Sequence, residues 1–141
     1  MKSRLTDMLT EGVVLFDGAM GTMLYDRGIF INKCFDEINL SNPDLVESIH
    51  GEYIDAGAGV IETNTFGANR FKLALHGLDD SIGEINRAGA EVALRASDGR
   101  VLNDERPVLA LAHVQAILFE IRIAGDVYVV AGKRKCHRID L

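Results

Sequence analysis

The order of short apolar runs and helical segments constrains the fold more than any other feature of this sequence. Continuous apolar runs cover residues 13–16, 60–61 and 107–112. Such runs are typical of strands that are buried on both faces of a sheet. Helical segments separate them, and connections of this length predict parallel pairing through right-handed βαβ units. The sequence therefore predicts an α/β fold, and both a (β/α)8 barrel and a doubly wound sheet satisfy this order.

The segments between these strands carry helix signals. Ser41 or Asn42 can cap a helix, Pro43 can occupy its first position and Gly57 can end it. Gly89 lies on the apolar stripe of the longest helix, where it permits close packing or mildly weakens the helix. The further predicted helices cover residues 3–11, 22–26, 69–75 and 81–96.

Composition and charge exclude several classes of protein. The hydrophobic content of 48% is enough for a core, and the formal net charge of -6 argues against a nucleic-acid partner. The N-terminus has no apolar signal-peptide region, and no run reaches the roughly 20 apolar residues of a membrane span. Cys34 and Cys136, without a signal peptide, indicate reduced thiols and a cytoplasmic location.

Polar residues follow the first two apolar runs at their carboxyl ends. Asp17 opens the turn Asp17-Gly18-Ala19-Met20-Gly21-Thr22, and residues 62–65 follow the second strand. Parallel strands place both groups at one edge of the sheet, where ligands of α/β folds bind. Gly18 and Gly21 permit positive φ or a close backbone approach. Main-chain N–H groups there suit a ligand carboxylate and Asp17 suits an ammonium, but a plain structural turn fits the spacing equally well.

The second group places four polar side chains, Glu62, Thr63, Asn64 and Thr65, between a strand and a glycine. In an extended segment Thr63 and Thr65 share one face, and Glu62 and Asn64 share the other. One face would point to the centre of a barrel, so we favour a site over a solvated strand end. The glycine turn lacks the Lys-Ser/Thr pair of a phosphate loop and a second aspartate, which leaves a phosphate-handling enzyme as the weakest alternative.

Other residues with chemical potential carry weaker signals. His50 and His76 lie on predicted helices, and we interpret each as a packed or surface side chain. Cys34 has no partner at metal-ligand spacing and is interpreted as structural. The adjacent Cys136 and His137 match no standard zinc spacing and lie in a basic tail.

Three stretches resemble the homocysteine S-methyltransferase family: LFDGAMGTMLYDRGIFINKCFDEINLSNPDLV, AGVIETNTFGANRFKLALHGL and EINRAG. The part GIFINKCFDEINLS is especially similar to the variant that is fused to a methylenetetrahydrofolate reductase. The resemblance implies a (β/α)8 barrel, a catalytic zinc, and methyl transfer to the thiol of homocysteine, which gives methionine. It also implies that Asp17, Gly18 and Ala19 contact the amino acid end of homocysteine, while Glu62, Thr63, Asn64 and Thr65 line the same pocket.

The chain departs from the family pattern in its second half. A (β/α)8 barrel takes about 250 residues, whereas this chain has 141. The family holds zinc with three cysteines, and neither Cys34 nor Cys136 matches their positions, so we expect no metal ligands in this chain. We therefore expect a truncated or frame-disrupted member, with a partial barrel over 1–112 and a divergent tail over 113–141. An open barrel exposes strand edges, which favours self-association. The methyl donor is not indicated.

The alternative is an α/β module that binds an amino acid or a partner protein without chemistry. Such a module needs a compact fold, in which the tail supplies a closing strand at 127–130.

Overall fold

The computed structural model describes residues 4–98, 100, 108–113, 128–130 and 136–138. The helices are α1 (Arg4–Glu11), α2 (Met20–Asp26), α3 (Ile38–Ser41), α4 (Pro43–Asp55), α5 (Arg70–Ala74) and α6 (Ile82–Ser97), with a 3-10 turn at Asp79–Ser81 before α6. The strands are β1 (Val60–Glu62), β2 (Leu109–His113), β3 (Tyr128–Val130) and β4 (Cys136–Arg138). No helix in this part of the chain is both long and apolar enough to cross a membrane.

The sheet has the strand order β1-β2-β3-β4. β1 pairs with β2 and β2 with β3 in parallel, and Phe16 adds a parallel bridge to Val60 on the outer side of β1. Each parallel neighbour follows the other along the chain, as in the winding of a (β/α)8 barrel. β4 runs antiparallel to β3 and departs from that pattern. The described strands thus form a partial α/β sheet, and its identity as part of a (β/α)8 barrel stays a prediction.

The core lies on both faces of β1 and β2, because successive side chains of a strand point to opposite faces. On one face Val60, Leu109 and Leu111 pack with Leu5 and Met8 of α1. On the other face Ile61 and Ala110 pack with side chains of α4 and α6, namely Ile54, Ala93 and Ala96. The prediction of strands buried on both faces is therefore confirmed for β1 and β2.

The prediction is wrong for the first apolar run, 13–16. This segment forms only the bridge at Phe16, and the exposed fractions are 88% for Val13, 60% for Leu15 and 43% for Phe16. Within the described ranges, its main chain bonds to one side alone, where the N–H groups of Gly59 and Val60 donate to the Leu15 carbonyl. Among the described residues no strand covers its other side, so it forms an edge of the sheet.

The helix boundaries follow the predicted signals closely. Pro43 begins α4 after Asn42, although the Asn42 side chain makes no capping hydrogen bond. Gly57 follows the end of α4 with a φ of 103°, a left-handed conformation that glycine adopts without a steric penalty. Asn69 caps α5 by accepting a hydrogen bond from the Lys72 N–H at 3.1 Å.

The tail contributes to the sheet where the structure describes it. β3 (Tyr128–Val130) lies within the closing strand predicted at 127–130 and pairs with β2. The residues between β2 and β3 and most of the remaining tail lie outside the described residues. The domain boundary at 112 stays a prediction, and β2 itself ends at His113.

Gly89 lets α6 approach the polar loop after β1 and helix α3. A Cβ atom at Gly89 would lie 2.6 Å from Thr65 Cγ2 and 2.7 Å from Asn39 Nδ2. Both neighbours are buried, so neither can move freely. Of the two readings of this glycine, the structure supports close packing.

We expect Gly89→Ala to lower the free energy of unfolding by about 1–3 kcal/mol, the usual cost of overpacking a core. Gly83→Ala is the matched control, because it lies on the same helix and its added Cβ would meet nothing within 4 Å. There the better helix propensity of alanine should leave stability unchanged or raise it by up to ~1 kcal/mol. Urea denaturation of both variants checks this, and equal stabilities would contradict the packing role.

Candidate functional site

A cavity of about 500 Å³ lies beyond the carboxyl end of β1. The glycine turn after the Phe16 bridge forms one wall, and the segment before α3 and the loop after β1 form the others. Its lining residues are Asp17, Gly18, Ala19, Met20, Gly21, Ile31, Lys33, Cys34, Phe35, Asp36, Glu62, Thr63, Asn64, Phe66, Gly67, Lys72 and His76. The two polar groups predicted to share an edge of the sheet therefore meet in one cavity.

Asp17 joins the two strand ends. Its Oδ1 accepts a hydrogen bond from the Glu62 N–H at 3.0 Å, and its own N–H donates to the Val60 carbonyl at 2.9 Å. Its side chain is only 6% exposed, and Oδ2 lies 3.7 Å from Nδ1 of the fully buried His50. The carboxylate is thus held in a defined position at the edge of the cavity.

Gly18 and Ala19 are exposed and line the cavity directly before α2. The positive-φ glycines among the described residues are Gly28, Gly57 and Gly77, so Gly18 and Gly21 do not need glycine for that reason. A Cβ at Gly21 would lie 3.2 Å from the Phe35 ring, which matches the predicted close approach. A Cβ at Gly18 would meet nothing within 4 Å.

The polar group after β1 divides into lining and supporting residues. The hydroxyl oxygens of Thr63 and Thr65 lie 2.7 Å apart, so the two side chains share a side as predicted. Glu62, Thr63 and Asn64 line the cavity, whereas Thr65 is not among its lining residues and packs against Gly89. Thr65 therefore supports the wall from behind.

Asn64 also connects the loop after β1 to the neighbouring helix. Its Nδ2 donates to the Phe35 carbonyl at 2.7 Å and to Asn39 Oδ1 at 3.2 Å. In return Asn39 Nδ2 donates to the Asn64 carbonyl at 2.7 Å. These bonds satisfy buried amide groups, which are costly to leave unpaired.

Asp36 is a lining residue that sequence reasoning missed. Its Oδ1 accepts a hydrogen bond from the Gly67 N–H at 2.8 Å, and a Cβ at Gly67 would overlap the carboxylate. Burial raises the pKa of Asp36, and the Gly67 N–H and the positive charges of Lys72 and His76 partly oppose this rise. The hydrogen bond between Asp36 and Gly67 thus connects the segment before α3 to the loop after β1.

The cavity lining also includes a thiol and two basic side chains. Cys34 is half-buried in it, and burial raises the pKa of its thiol. His76 lies in the turn after α5 rather than on the helix, and Lys72 Nζ lies 4.7 Å from the centre of the Phe66 ring. Sequence reasoning assigned Cys34 a structural role and His76 a packed or surface position. Cys34 and His76 lie in irregular loops that show no periodicity. The sequence signal that covers both residues is the resemblance to the homocysteine S-methyltransferase family.

The described residues do not offer a fitting zinc site. Within them no group of three or more His, Cys, Asp or Glu side chains could hold a metal ion. Cys34 Sγ instead lies 4.0 Å from Asp36 Oδ2. A structural or catalytic zinc takes at least three protein ligands.

A family model described as homocysteine S-methyltransferase matches residues 14–131. The chain is similar to methionine synthase of Mycobacterium leprae (strain TN), with 34% identity over 108 residues, which is 72% of this chain and 9% of that protein. It is also similar to methionine synthase of Mycobacterium tuberculosis (strain ATCC 25618 / H37Rv), with 36% identity over 100 residues, which is 67% of this chain and 8% of that protein.

Solved structures of the homocysteine methyltransferase MmuM from Escherichia coli share the fold. The metallated form has a TM-score of 0.66 and 27% identity, and the match covers 78% of this chain and 40% of that one. The oxidized form has a TM-score of 0.67 and 25% identity, over 83% of this chain and 43% of that one. The chain thus spans less than half of these proteins and about a tenth of the methionine synthases.

We expect Asp36→Asn to flatten the pH dependence of stability. Because the folded-state pKa of Asp36 is raised, the folded protein binds more protons than the unfolded chain between the two pKa values, and stability falls as pH rises through that window. Asparagine can still accept the Gly67 N–H and carries no charge to bury, so the variant should be at least as stable at about pH 7.

Urea denaturation from about pH 4 to about pH 7 measures this difference. Asp26→Asn, at an exposed position outside the cavity, is the control and should follow the wild-type profile. If the stability of Asp36→Asn and of the wild type depended on pH in the same way, this would contradict a raised pKa of Asp36 in the folded protein.

Proposed function

Since the chain belongs to the homocysteine S-methyltransferase family, we propose that it binds homocysteine in the cavity beyond β1. In this proposal Asp17, Gly18 and Ala19 hold the amino acid end, and Glu62, Thr63 and Asn64 line the pocket, with Thr65 behind them. The site serves methyl transfer to the homocysteine thiol, which gives methionine. The chain spans only part of its relatives, so this activity is proposed for the site and not for the chain acting alone.

The position of the Asp17 carboxylate carries the proposal. A carboxylate offers about four lone-pair sites, and the hydrogen bond from the Glu62 N–H uses one of them. The remaining capacity suits a ligand ammonium, which forms charge-assisted hydrogen bonds with this carboxylate, whose side chain is only 6% exposed. The adjacent turn at Gly18 and Ala19 supplies main-chain N–H groups on the same wall, where they suit the ligand carboxylate.

The apolar and sulfur-containing part of the lining suits the rest of the ligand. Met20, Cys34, Phe35 and Phe66 offer apolar and sulfur surface to an aliphatic chain and a thiol. The cavity volume of about 500 Å³ falls within the ~300–1,000 Å³ of small-molecule sites. It leaves space beside an amino acid for the methyl group of a second reactant.

Methyl transfer forms a bond between the homocysteine sulfur and the methyl carbon as the bond from the donor to that carbon breaks. The thiol proton passes to solvent, because the thiolate is the nucleophile, and the electron pair of the broken bond stays with the donor. The resemblance implies a zinc that favours this thiolate, but the described residues do not fit one. The cytoplasmic location and the self-association through exposed strand edges stay predictions, and the methyl donor is not identified.

We expect the purified chain to bind homocysteine, and Asp17→Asn to weaken binding roughly 10- to 100-fold, as loss of a charged hydrogen bond would. Asparagine retains an acceptor for the Glu62 N–H, so the fold should be preserved. Isothermal titration measures the affinity, with Asp26→Asn as a control that makes the same change at an exposed position outside the cavity.

A second ligand separates recognition of the ammonium from general damage. 4-Mercaptobutyrate keeps the carboxylate and the thiol but lacks the ammonium, and Asp17→Asn should not change its affinity. Binding that does not need zinc would support an amino-acid-binding module, whereas binding only with zinc would indicate ligands outside the described residues. A folded chain that does not bind homocysteine under either condition would overturn the proposal.

A further inference from the structure

His50 on α4 is a buried histidine that the site description does not use. Its side chain is fully buried, and among the described residues neither ring nitrogen has a hydrogen-bond partner. A buried polar atom without a partner costs stability, so an apolar side chain would suit this helix position better for packing alone. The presence of an imidazole here needs another explanation.

The carboxylate oxygen Oδ2 of Asp17 lies 3.7 Å from His50 Nδ1. This separation is slightly longer than a hydrogen bond, and small side-chain rotations would close it. The other oxygen, Oδ1, is already held by the Glu62 N–H at 3.0 Å. The carboxylate thus lies between a main-chain donor on β1 and an imidazole on α4.

Tyr53 lies one turn after His50 on α4. Burial raises the pKa of Tyr53, and the negative charge of Asp17 adds to this rise. The Asp17 carboxylate therefore lies close enough to α4 to act on a second side chain of this helix.

We infer that His50 is a positioning residue, which carries a proton on Nδ1 and holds Oδ2 of Asp17 so that the carboxylate is oriented for a ligand ammonium. The inference rests on the proposed function of Asp17 and deepens it. Hydrogen bonds of this kind are often long without ligand and tighten in the complex. A carboxylate held at both oxygens loses less rotational freedom on binding, which improves affinity.

The side chains of asparagine and leucine test this role as a matched pair. Asparagine can place an N–H donor near the position of Nδ1, whereas leucine has a similar shape and no donor. We expect His50→Leu to lose about 10-fold in homocysteine affinity, the effect of one hydrogen bond to a charged group. His50→Asn should retain most of the affinity, and His50→Leu should bind 4-mercaptobutyrate as the wild type does.

The double variant provides a second readout. If His50 acts through Asp17, adding His50→Leu to Asp17→Asn should weaken homocysteine binding no further than Asp17→Asn alone. The inference would be overturned if His50→Leu lost the same affinity for homocysteine and for 4-mercaptobutyrate. It would also be overturned if a folded His50→Leu variant bound homocysteine as tightly as the wild type.

Nuclear magnetic resonance tests whether His50 carries its proton on Nδ1. It needs neither a ligand nor a folded His50→Leu variant. Long-range ¹H–¹⁵N spectra of the wild type report which ring nitrogen carries the proton, and the signals of His50 are those absent from His50→Asn. We expect a protonated Nδ1 whose shift changes in Asp17→Asn. A proton on Nε2 alone, insensitive to Asp17→Asn, would overturn the inference. If the Nδ1 shift changes in Asp17→Asn but the chain does not bind homocysteine, the result would count against the proposed function only.

Discussion

Burial of β1 on both faces is the constraint on which the rest of the structure depends. Val60 and Ile61 are fully buried on opposite faces, so the strand cannot shift by one residue without moving both into the wrong environment. The parallel neighbours on either side, Phe16 and β2, take their register from it. Because β1 ends at Glu62, this register also determines where the polar residues of the cavity begin.

The cavity walls depend on close approaches that only glycine permits. Gly67 lets the Asp36 carboxylate approach the main chain, and Gly89 lets α6 contact Thr65 and Asn39. The amide pair of Asn39 and Asn64 then connects α3 to the loop after β1. Each wall is thereby attached to a buried strand or helix, which limits the movement of the side chains that face the cavity.

Sequence reasoning predicted the parts of the fold that local patterns encode. The buried strand at β1, the start of α4 at Pro43 and its end before Gly57 follow from apolar periodicity and from turn chemistry. It was wrong about burial of the run at 13–16, because an apolar run shows that a segment can be covered and not which element covers it. It also missed Asp36 as a lining residue, since this side chain lies in an irregular loop without periodicity.

By itself, the sequence determined the α/β class, the parallel pairing and the meeting of Asp17 with the polar group after β1. It could do so because strand order and connection length leave few topologies. Only the tertiary structure decided which residues of that group face the cavity, that Thr65 supports the wall from behind, and that His50 lies beneath Asp17. These outcomes depend on the packing of α4 and α6 against the strands and of α3 against these two helices. Contacts between residues distant in the chain leave no periodic pattern in the sequence.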